Sequence, residues 1–148
     1  MNEEKKITWI IGDIHGMYDP LRALITRLDN KRLDKFVFVG DYIDHGPSSK
    51  EVLDLIIELG DKAVPLMGNH EYLLLLTLYN EDHRKKWGKR IWVEDNGGQQ
   101  TIHSFGCADF EEFEAKIEPK YTDFLKSLKF FHQVALPGDE ISQKFLIT

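Results

Sequence analysis

Residues 35–47, KFVFVGDYIDHGP, join an apolar run to a loop that carries two carboxylates. The run at residues 36–39 contains two β-branched residues and is typical of a buried strand. It ends at Gly40, and Asp41 follows directly, with Asp44 three residues later. In open α/β sheets ligands bind beyond the carboxyl ends of the strands, so both carboxylates are placed where a binding site is expected.

Two other apolar runs end in the same way. Residues 7–11 lead into GDIHG at 12–16, and residues 63–67 lead into GNHE at 68–71. Three such strands in one sheet would bring six polar side chains to a single edge: Asp13, His15, Asp41, Asp44, Asn69 and His70. Oxygen and imidazole ligands of this kind suit a pair of divalent metal ions.

The segments between these runs have helical patterns. Asp19 is expected to cap a helix whose apolar face recurs through residues 21–28, and a Ser-x-x-Glu capping box at 48–51 is expected to start a second helix. Residues 72–79 are apolar nearly all round and predict a largely buried helix. Because β-α-β units form parallel strands with right-handed crossovers, the sequence predicts an α/β fold with a parallel β-α-β-α-β sheet.

The pattern changes after residue 80. The charged run at 80–90 predicts a solvated helix or loop, and 109–116 and 121–128 predict short helices. Residues 130–136 and 142–148 predict a hairpin, with its turn at 137–140. Because the last residues are apolar and strand-like, we expect residues 1–148 to be one truncated domain, whose sheet is incomplete at the carboxyl end.

Composition narrows the class of protein. Of 148 residues, 42% are hydrophobic and 30% charged, which favours a folded domain over disorder. The formal charge of −6 argues against a nucleic-acid partner. Cys107 is the single cysteine, so no intramolecular disulfide and no cysteine-based zinc site is expected. The polar amino terminus and the lack of a run of about 18 apolar residues predict a cytoplasmic protein that does not cross a membrane.

The motifs at residues 12–16, 40–46 and 68–71, in this order, resemble the three signature motifs of the metallophosphoesterases (calcineurin-like phosphoesterases). Their form is similar to that of the bacterial serine/threonine phosphoprotein phosphatase branch, which also includes symmetrical diadenosine tetraphosphatases. The resemblance runs from about residue 7 to the end and implies the amino-terminal portion of the family fold. Residues 96–101 and 130–148 also resemble regions of the bacterial and phage members.

The resemblance implies two divalent metal ions, with manganese the first expectation and iron, zinc or nickel as alternatives. Asp13 and His15 would bind the first metal, and Asp41 would bridge both. Asn69 would bind the second metal and lie against the substrate. The family takes two further histidine ligands and another phosphate-binding arginine from sequence that would follow residue 148.

The resemblance also implies the catalytic residues. His70 would be the general acid that protonates the leaving oxygen, and Asp44 would orient it. His45 stands where the family usually has a phosphate-binding arginine, and histidine cannot form the same bidentate contact. We therefore expect either weaker phosphate binding that depends more on pH, or compensation by a lysine or arginine elsewhere in the chain. Glu71 is expected to start a helix rather than to contact metal.

These observations predict a metal-dependent phosphoesterase that hydrolyses phosphomonoesters by in-line attack of a metal-bridging hydroxide. The first expectation is a serine/threonine protein phosphatase, because the Asp44 that orients the acid is present. The substrate would be a phosphoprotein or a small phosphoester. Two alternatives remain open: a symmetrical dinucleoside tetraphosphatase, and a truncated metal-binding fragment without catalytic competence.

Overall fold

A computed structural model describes residues 6–30, 32–135 and 144–147. Strands β1 (Ile7–Ile11), β2 (Leu33–Phe38) and β3 (Ala63–Pro65) form a parallel sheet in the order β1-β2-β3. Helix α1 (Tyr18–Leu28) connects β1 to β2, and helix α2 (Ser49–Leu59) leads through a 3₁₀ turn to β3. The predicted α/β fold with a parallel sheet is confirmed.

The rest of the described chain is mainly helical. Six helices follow β3: α3 (Asn69–Tyr79), α4 (Glu81–Trp87), α5 (Arg90–Val93), α6 (Gly98–Ser104), α7 (Phe110–Lys116) and α8 (Pro119–Ser127). Strands β4 (His132–Ala135) and β5 (Lys144–Ile147) then pair antiparallel, which confirms the predicted hairpin pairing. The turn predicted at residues 137–140 lies outside the described residues.

Two helices start earlier than the sequence predicts, and a third lacks its predicted capping bond. Helix α1 begins at Tyr18 rather than after Asp19. A turn precedes it, in which the Met17 N–H donates to the Ile14 carbonyl oxygen, and the helix continues directly from this turn. Helix α2 does follow Ser48, but the Ser48 hydroxyl makes no capping hydrogen bond. Helix α3 begins at Asn69, three residues earlier than expected. The early start places the third sequence motif inside the first helical turn.

The core lies against the middle strand. Phe36 and Phe38 of β2 are fully buried, together with Val52 and Ile56 of α2. Burial of one such side chain contributes roughly 1.5–3 kcal/mol, so these contacts fix the strand end from which the second motif emerges. The prediction that the helix at 72–79 is largely buried is only partly right. Tyr72 and Tyr79 lie seven residues apart on one face of α3 and are 48% and 55% exposed.

None of the helices among the described residues is long and apolar enough to cross a membrane.

Gly40, at the end of β2, touches the backbone of the third motif. Its φ is +101°, and a Cβ atom there would collide with the backbone N and Cα of Gly68. We expect Gly40→Ala to lower the free energy of unfolding by about 3 kcal/mol, since it combines overpacking with a left-handed backbone. Chemical denaturation of both proteins measures this.

Gly12 provides the matched control for that substitution. It follows β1 as Gly40 follows β2, but a Cβ atom at Gly12 would meet nothing within 4 Å. Gly12→Ala should change the free energy of unfolding by less than about 1 kcal/mol. Equal effects of the two substitutions would show that the contact between Gly40 and Gly68 does not support the fold.

Candidate functional site

The loops that follow β1 and β2 are joined by backbone hydrogen bonds. The N–H groups of Ile14 and His15 both donate to the Asp41 carbonyl oxygen at 2.9 Å. The Gly16 N–H donates to the Tyr42 carbonyl oxygen at 2.8 Å. The first two sequence motifs therefore lie side by side at the carboxyl edge of the sheet, as the strand endings predict.

Glu71 joins the third motif to the second. Its buried carboxylate accepts hydrogen bonds from the N–H groups of Asp41 (2.8 Å), Tyr42 (2.7 Å) and Gly68 (3.1 Å). Burial raises the pKa of the Glu71 carboxyl to about 7, and the backbone donors at Tyr42 and Asp41 act in the opposite direction. The sequence interpretation gave Glu71 only the start of a helix. The structure adds that it holds the loop carrying Asp41 in place.

Asp13, His15 and Asp41 form a metal-ligand cluster. Each offers one ligand atom, and these atoms lie within 4.8 Å of one another. The Nδ1 atom of His15 is 2.9 Å from the carbonyl oxygen of Ile43, so it carries the proton and leaves Nε2 free. Two carboxylates and one imidazole fit a divalent metal such as manganese, iron or zinc.

Asn69 is close to this cluster along the chain. It is exposed at the first position of α3, between Gly68, which packs on Asp41, and His70. The His70 N–H donates to the Asp41 Oδ1 atom at 3.1 Å. The backbone on both sides of Asn69 is therefore tied to the cluster.

His70 and Asp44 form a buried pair. The Nδ1 atom of His70 lies 2.8 Å from Asp44 Oδ2. Asp44 also accepts hydrogen bonds from Trp92 Nε1 at 2.9 Å and from Thr101 Oγ1 at 2.6 Å. Complete burial raises the pKa of the Asp44 carboxyl, while the hydrogen bonds from Thr101, His70 and Trp92 lower it. Asp44 is held by three donors, so the imidazole that it pairs with has a fixed orientation.

Trp92 and Thr101 were not among the predicted site residues. Both come from the helical part of the chain, Trp92 from α5 and Thr101 from α6. Thr101 has a further contact, because the Asp44 N–H donates to its hydroxyl at 2.9 Å. The resemblance of residues 96–101 to family members was the one sequence feature that pointed to this region.

His45 lies at the mouth of the site. Its ring centroid is 4.9 Å from that of His15 and 5.1 Å from that of His70. The His45 N–H donates to the Gly97 carbonyl oxygen at 3.3 Å, and a Cβ atom on Gly97 would lie 2.6 Å from His45 Nδ1. The glycine therefore allows the imidazole to lie against the α6 segment.

A cleft of about 460 Å³ opens beside His45. Besides His45 it is lined by Val93, Glu94, Asp95, Gly97, Gln99 and Gln100. Carboxylates and amides dominate this lining, so the cleft offers hydrogen-bond acceptors directly next to the histidines.

Backbone strain is concentrated in the same place. Among the described residues, four non-glycine residues have a positive φ: His15 (45°), Asp41 (53°), Asp44 (72°) and His45 (61°). A left-handed conformation costs roughly 1 kcal/mol or more for such residues. All four lie in the site, and strain of this kind tends to cluster at functional sites.

The family of this chain is identified by comparison with known proteins. The family model described as calcineurin-like phosphoesterase matches residues 8–146. The chain belongs to this family. The family-level prediction is confirmed for this calcineurin-like phosphoesterase domain.

Its relatives within the family include symmetrical bis(5'-nucleosyl)-tetraphosphatases. The Klebsiella pneumoniae protein is 42% identical over 85 residues, which is 57% of this chain and 30% of the relative. The Dechloromonas aromatica protein is 33% identical over 103 residues, which is 69% of this chain and 35% of the relative. The chain thus spans about a third of the length of the curated relatives it matches.

Solved structures show the same fold. A metallophosphoesterase from Sphaerobacter thermophilus superposes with a TM-score of 0.54 and 17% identity, covering 86% of this chain and 43% of that chain. A Pyrococcus horikoshii protein superposes with a TM-score of 0.59 and 13% identity, covering 87% of this chain and 51% of that chain.

The named relatives favour one of the two enzymatic hypotheses over the other. The first expectation, a serine/threonine protein phosphatase, has no specific support among the named sequence relatives. The named relatives correspond to the alternative, a symmetrical dinucleoside tetraphosphatase.

Proposed function

We propose that this chain carries the metal-binding centre of a phosphoesterase that hydrolyses dinucleoside polyphosphates. The observation that supports it most is the cluster of Asp13, His15 and Asp41 directly beside the paired His70 and Asp44. A metal-ligand group next to an oriented imidazole can supply both the charge stabilisation and the proton donor that favour phosphate ester hydrolysis.

In this proposal Asp13 and His15 would hold one metal ion, Asn69 would bind the second, and Asp41 would be a ligand of both. When bound, the two ions neutralise phosphate charge and supply a water acidic enough to act as the nucleophile near neutral pH. Asp41 has two carboxylate oxygens to offer, and its backbone is fixed on two sides. Its carbonyl accepts from the first motif, and its N–H donates to Glu71.

His70 would be the proton donor in this mechanism. Because its Nδ1 atom is bound to Asp44, a proton on Nε2 can be donated to the leaving oxygen. The Asp44 carboxylate stabilises the charged imidazolium before the transfer. General acid assistance is worth about 10²–10⁴-fold in rate where the leaving oxygen is strongly basic, and less for ADP, whose anion is stable near neutral pH.

The cleft beside His45 is large enough to hold the nucleoside part of a small substrate. Its volume of about 460 Å³ falls within the range of roughly 300–1,000 Å³ usual for small-molecule sites. Glu94, Asp95 and the side-chain amides of Gln99 and Gln100 can accept hydrogen bonds from ribose hydroxyls and base amino groups. His45, between the cleft and the metal-ligand cluster, would contact the phosphate chain.

Rates on two alternative substrates, assayed separately, test the proposal. We expect manganese-loaded protein to cleave diadenosine tetraphosphate symmetrically, to two molecules of ADP, with a kcat/KM at least about 10-fold above that for a phosphoserine peptide. Chromatographic detection of ADP and release of inorganic phosphate measure the two reactions. The Asp41→Asn protein, purified in parallel, controls for contaminating phosphatases.

The other outcomes point to the remaining alternatives. Faster release of phosphate from the peptide would favour a serine/threonine protein phosphatase. Failure to hydrolyse either substrate, together with one or no metal ion per chain by elemental analysis, would favour a metal-binding fragment without activity.

A further inference from the structure

We propose that His15, His45 and His70 form a separate three-histidine metal position, selective for borderline transition ions such as Zn²⁺. It shares one ligand with the carboxylate cluster, so that the two positions exclude each other. It concerns metal binding alone and does not depend on the proposed substrate.

The three imidazoles converge. Each offers one nitrogen, and these nitrogens lie within 4.8 Å of one another. The ring centroids are 4.9 Å apart for His15 and His45, 4.8 Å for His15 and His70, and 5.1 Å for His45 and His70. The rings meet edge to face at 70–81°, so no two of them stack face to face.

Two of the three histidines already have the hydrogen bonds of a metal ligand. The Nδ1 atom of His15 donates to the Ile43 carbonyl, and that of His70 faces the Asp44 carboxylate. A partner on one ring nitrogen fixes the tautomer and leaves the lone pair on the other nitrogen for metal. The pair of Asp44 and His70 matches the carboxylate–histidine arrangement found behind zinc.

The third histidine is held in position by its backbone. His45 has a φ of +61°, and its N–H donates to the Gly97 carbonyl. The side chain is exposed at the mouth of the site, so an ion from solvent can reach it. A strained residue fixed beside two oriented imidazoles is a third ligand whose place is set before the metal arrives.

Ligand chemistry separates the two positions. Three imidazoles suit zinc, nickel and copper, whereas carboxylate-rich sets suit manganese and magnesium. His15 has only Nε2 to offer, because Nδ1 is bound to Ile43. Zinc at the three-histidine position therefore removes a ligand from the carboxylate cluster and also occupies the His70 nitrogen that would carry a proton.

Two variants distinguish the positions. His45→Asn removes a ligand while keeping a residue that tolerates positive φ, and Asp13→Asn removes a carboxylate ligand. Zinc and manganese affinities of the metal-free proteins are measured by competition with a chromophoric chelator, without substrate. His103→Asn, at an exposed histidine on α6, is the control.

We expect His45→Asn to weaken zinc binding by at least about 100-fold, because loss of a direct ligand exceeds the loss of an outer hydrogen-bond partner. Manganese affinity should stay within about 3-fold. Asp13→Asn should show the reverse pattern, and His103→Asn should change neither affinity. Zinc binding that depends on Asp13 and not on His45 would overturn the proposal. Near-ultraviolet circular dichroism of each variant confirms that the fold is kept.

Discussion

Replacing Asp41 with asparagine is expected to lower manganese-dependent hydrolysis of an aryl phosphate by at least about 10³-fold, the factor that corresponds to about 4 kcal/mol of lost transition-state stabilisation. The substitution removes the negative charge proposed to be shared between two cations. Its shape is conserved, and the asparagine carbonyl can still accept the hydrogen bond that His70 N–H donates to Asp41 Oδ1. Asparagine also tolerates the φ of +53° at this position.

The control for Asp41→Asn is Asp123→Asn. Asp123 is exposed on α8, so the same chemical change there should leave the rate within about 2-fold. Elemental analysis of both variants shows whether the loss of rate accompanies loss of bound metal. An Asp41→Asn protein that keeps more than a tenth of the activity would exclude Asp41 as a shared ligand.

His70→Asn is expected to affect substrates according to their leaving groups. An alkyl phosphate needs its leaving oxygen protonated, so its hydrolysis should fall by about 10²–10⁴-fold. A nitrophenyl phosphate releases an anion that is stable near neutral pH, and its rate should fall by no more than about 10-fold. Asparagine at position 70 can still donate to Asp44, which keeps the buried carboxylate paired.

The ratio between the two substrates is the diagnostic measurement for His70. Steady-state rates on both compounds, at saturating manganese, give that ratio directly. His103→Asn serves as the histidine control, since His103 is exposed and contacts Gln99. Equal losses on both substrates would assign His70 a role in folding or metal binding instead of proton donation.

The part of the site that the sequence predicts is the part encoded locally. Asp13, His15, Asp41 and His70 each lie within a few residues of a strand end, and parallel strands necessarily bring such ends together. An apolar run that stops at Gly-Asp is visible in the sequence without any knowledge of tertiary contacts. The β-α-β order and the antiparallel pairing of β4 and β5 were predictable for the same reason.

The supporting residues could not be predicted in this way. Trp92 and Thr101 reach Asp44 across 48 and 57 residues of chain, and Glu71 reaches Asp41 across 30. No spacing rule connects such positions, because the contacts depend on how helices pack. The early start of α3 has a related cause. Glu71 accepts the Gly68 N–H, which caps a helix that the apolar pattern alone places later.

Substrate preference was the weakest part of the sequence interpretation, for a chemical reason. The three motifs supply metal ligands and a proton donor, which any phosphate ester requires. They contain little that contacts the remainder of the substrate. The cleft that could do so is lined by residues 93–100 as well as His45, outside the motifs on which the first expectation rested.

The positive φ angles of His15, Asp41, Asp44 and His45 create a trade-off between stability and function. His45 is exposed, and glycine adopts its positive φ without strain, so glycine there would relieve the backbone while losing only the ring contacts with His15 and His70. A laboratory evolution campaign that rewards heat resistance alone would accept that exchange and discard the imidazole. Selection of a more thermostable variant of this protein therefore needs a screen that also measures catalytic activity in every round.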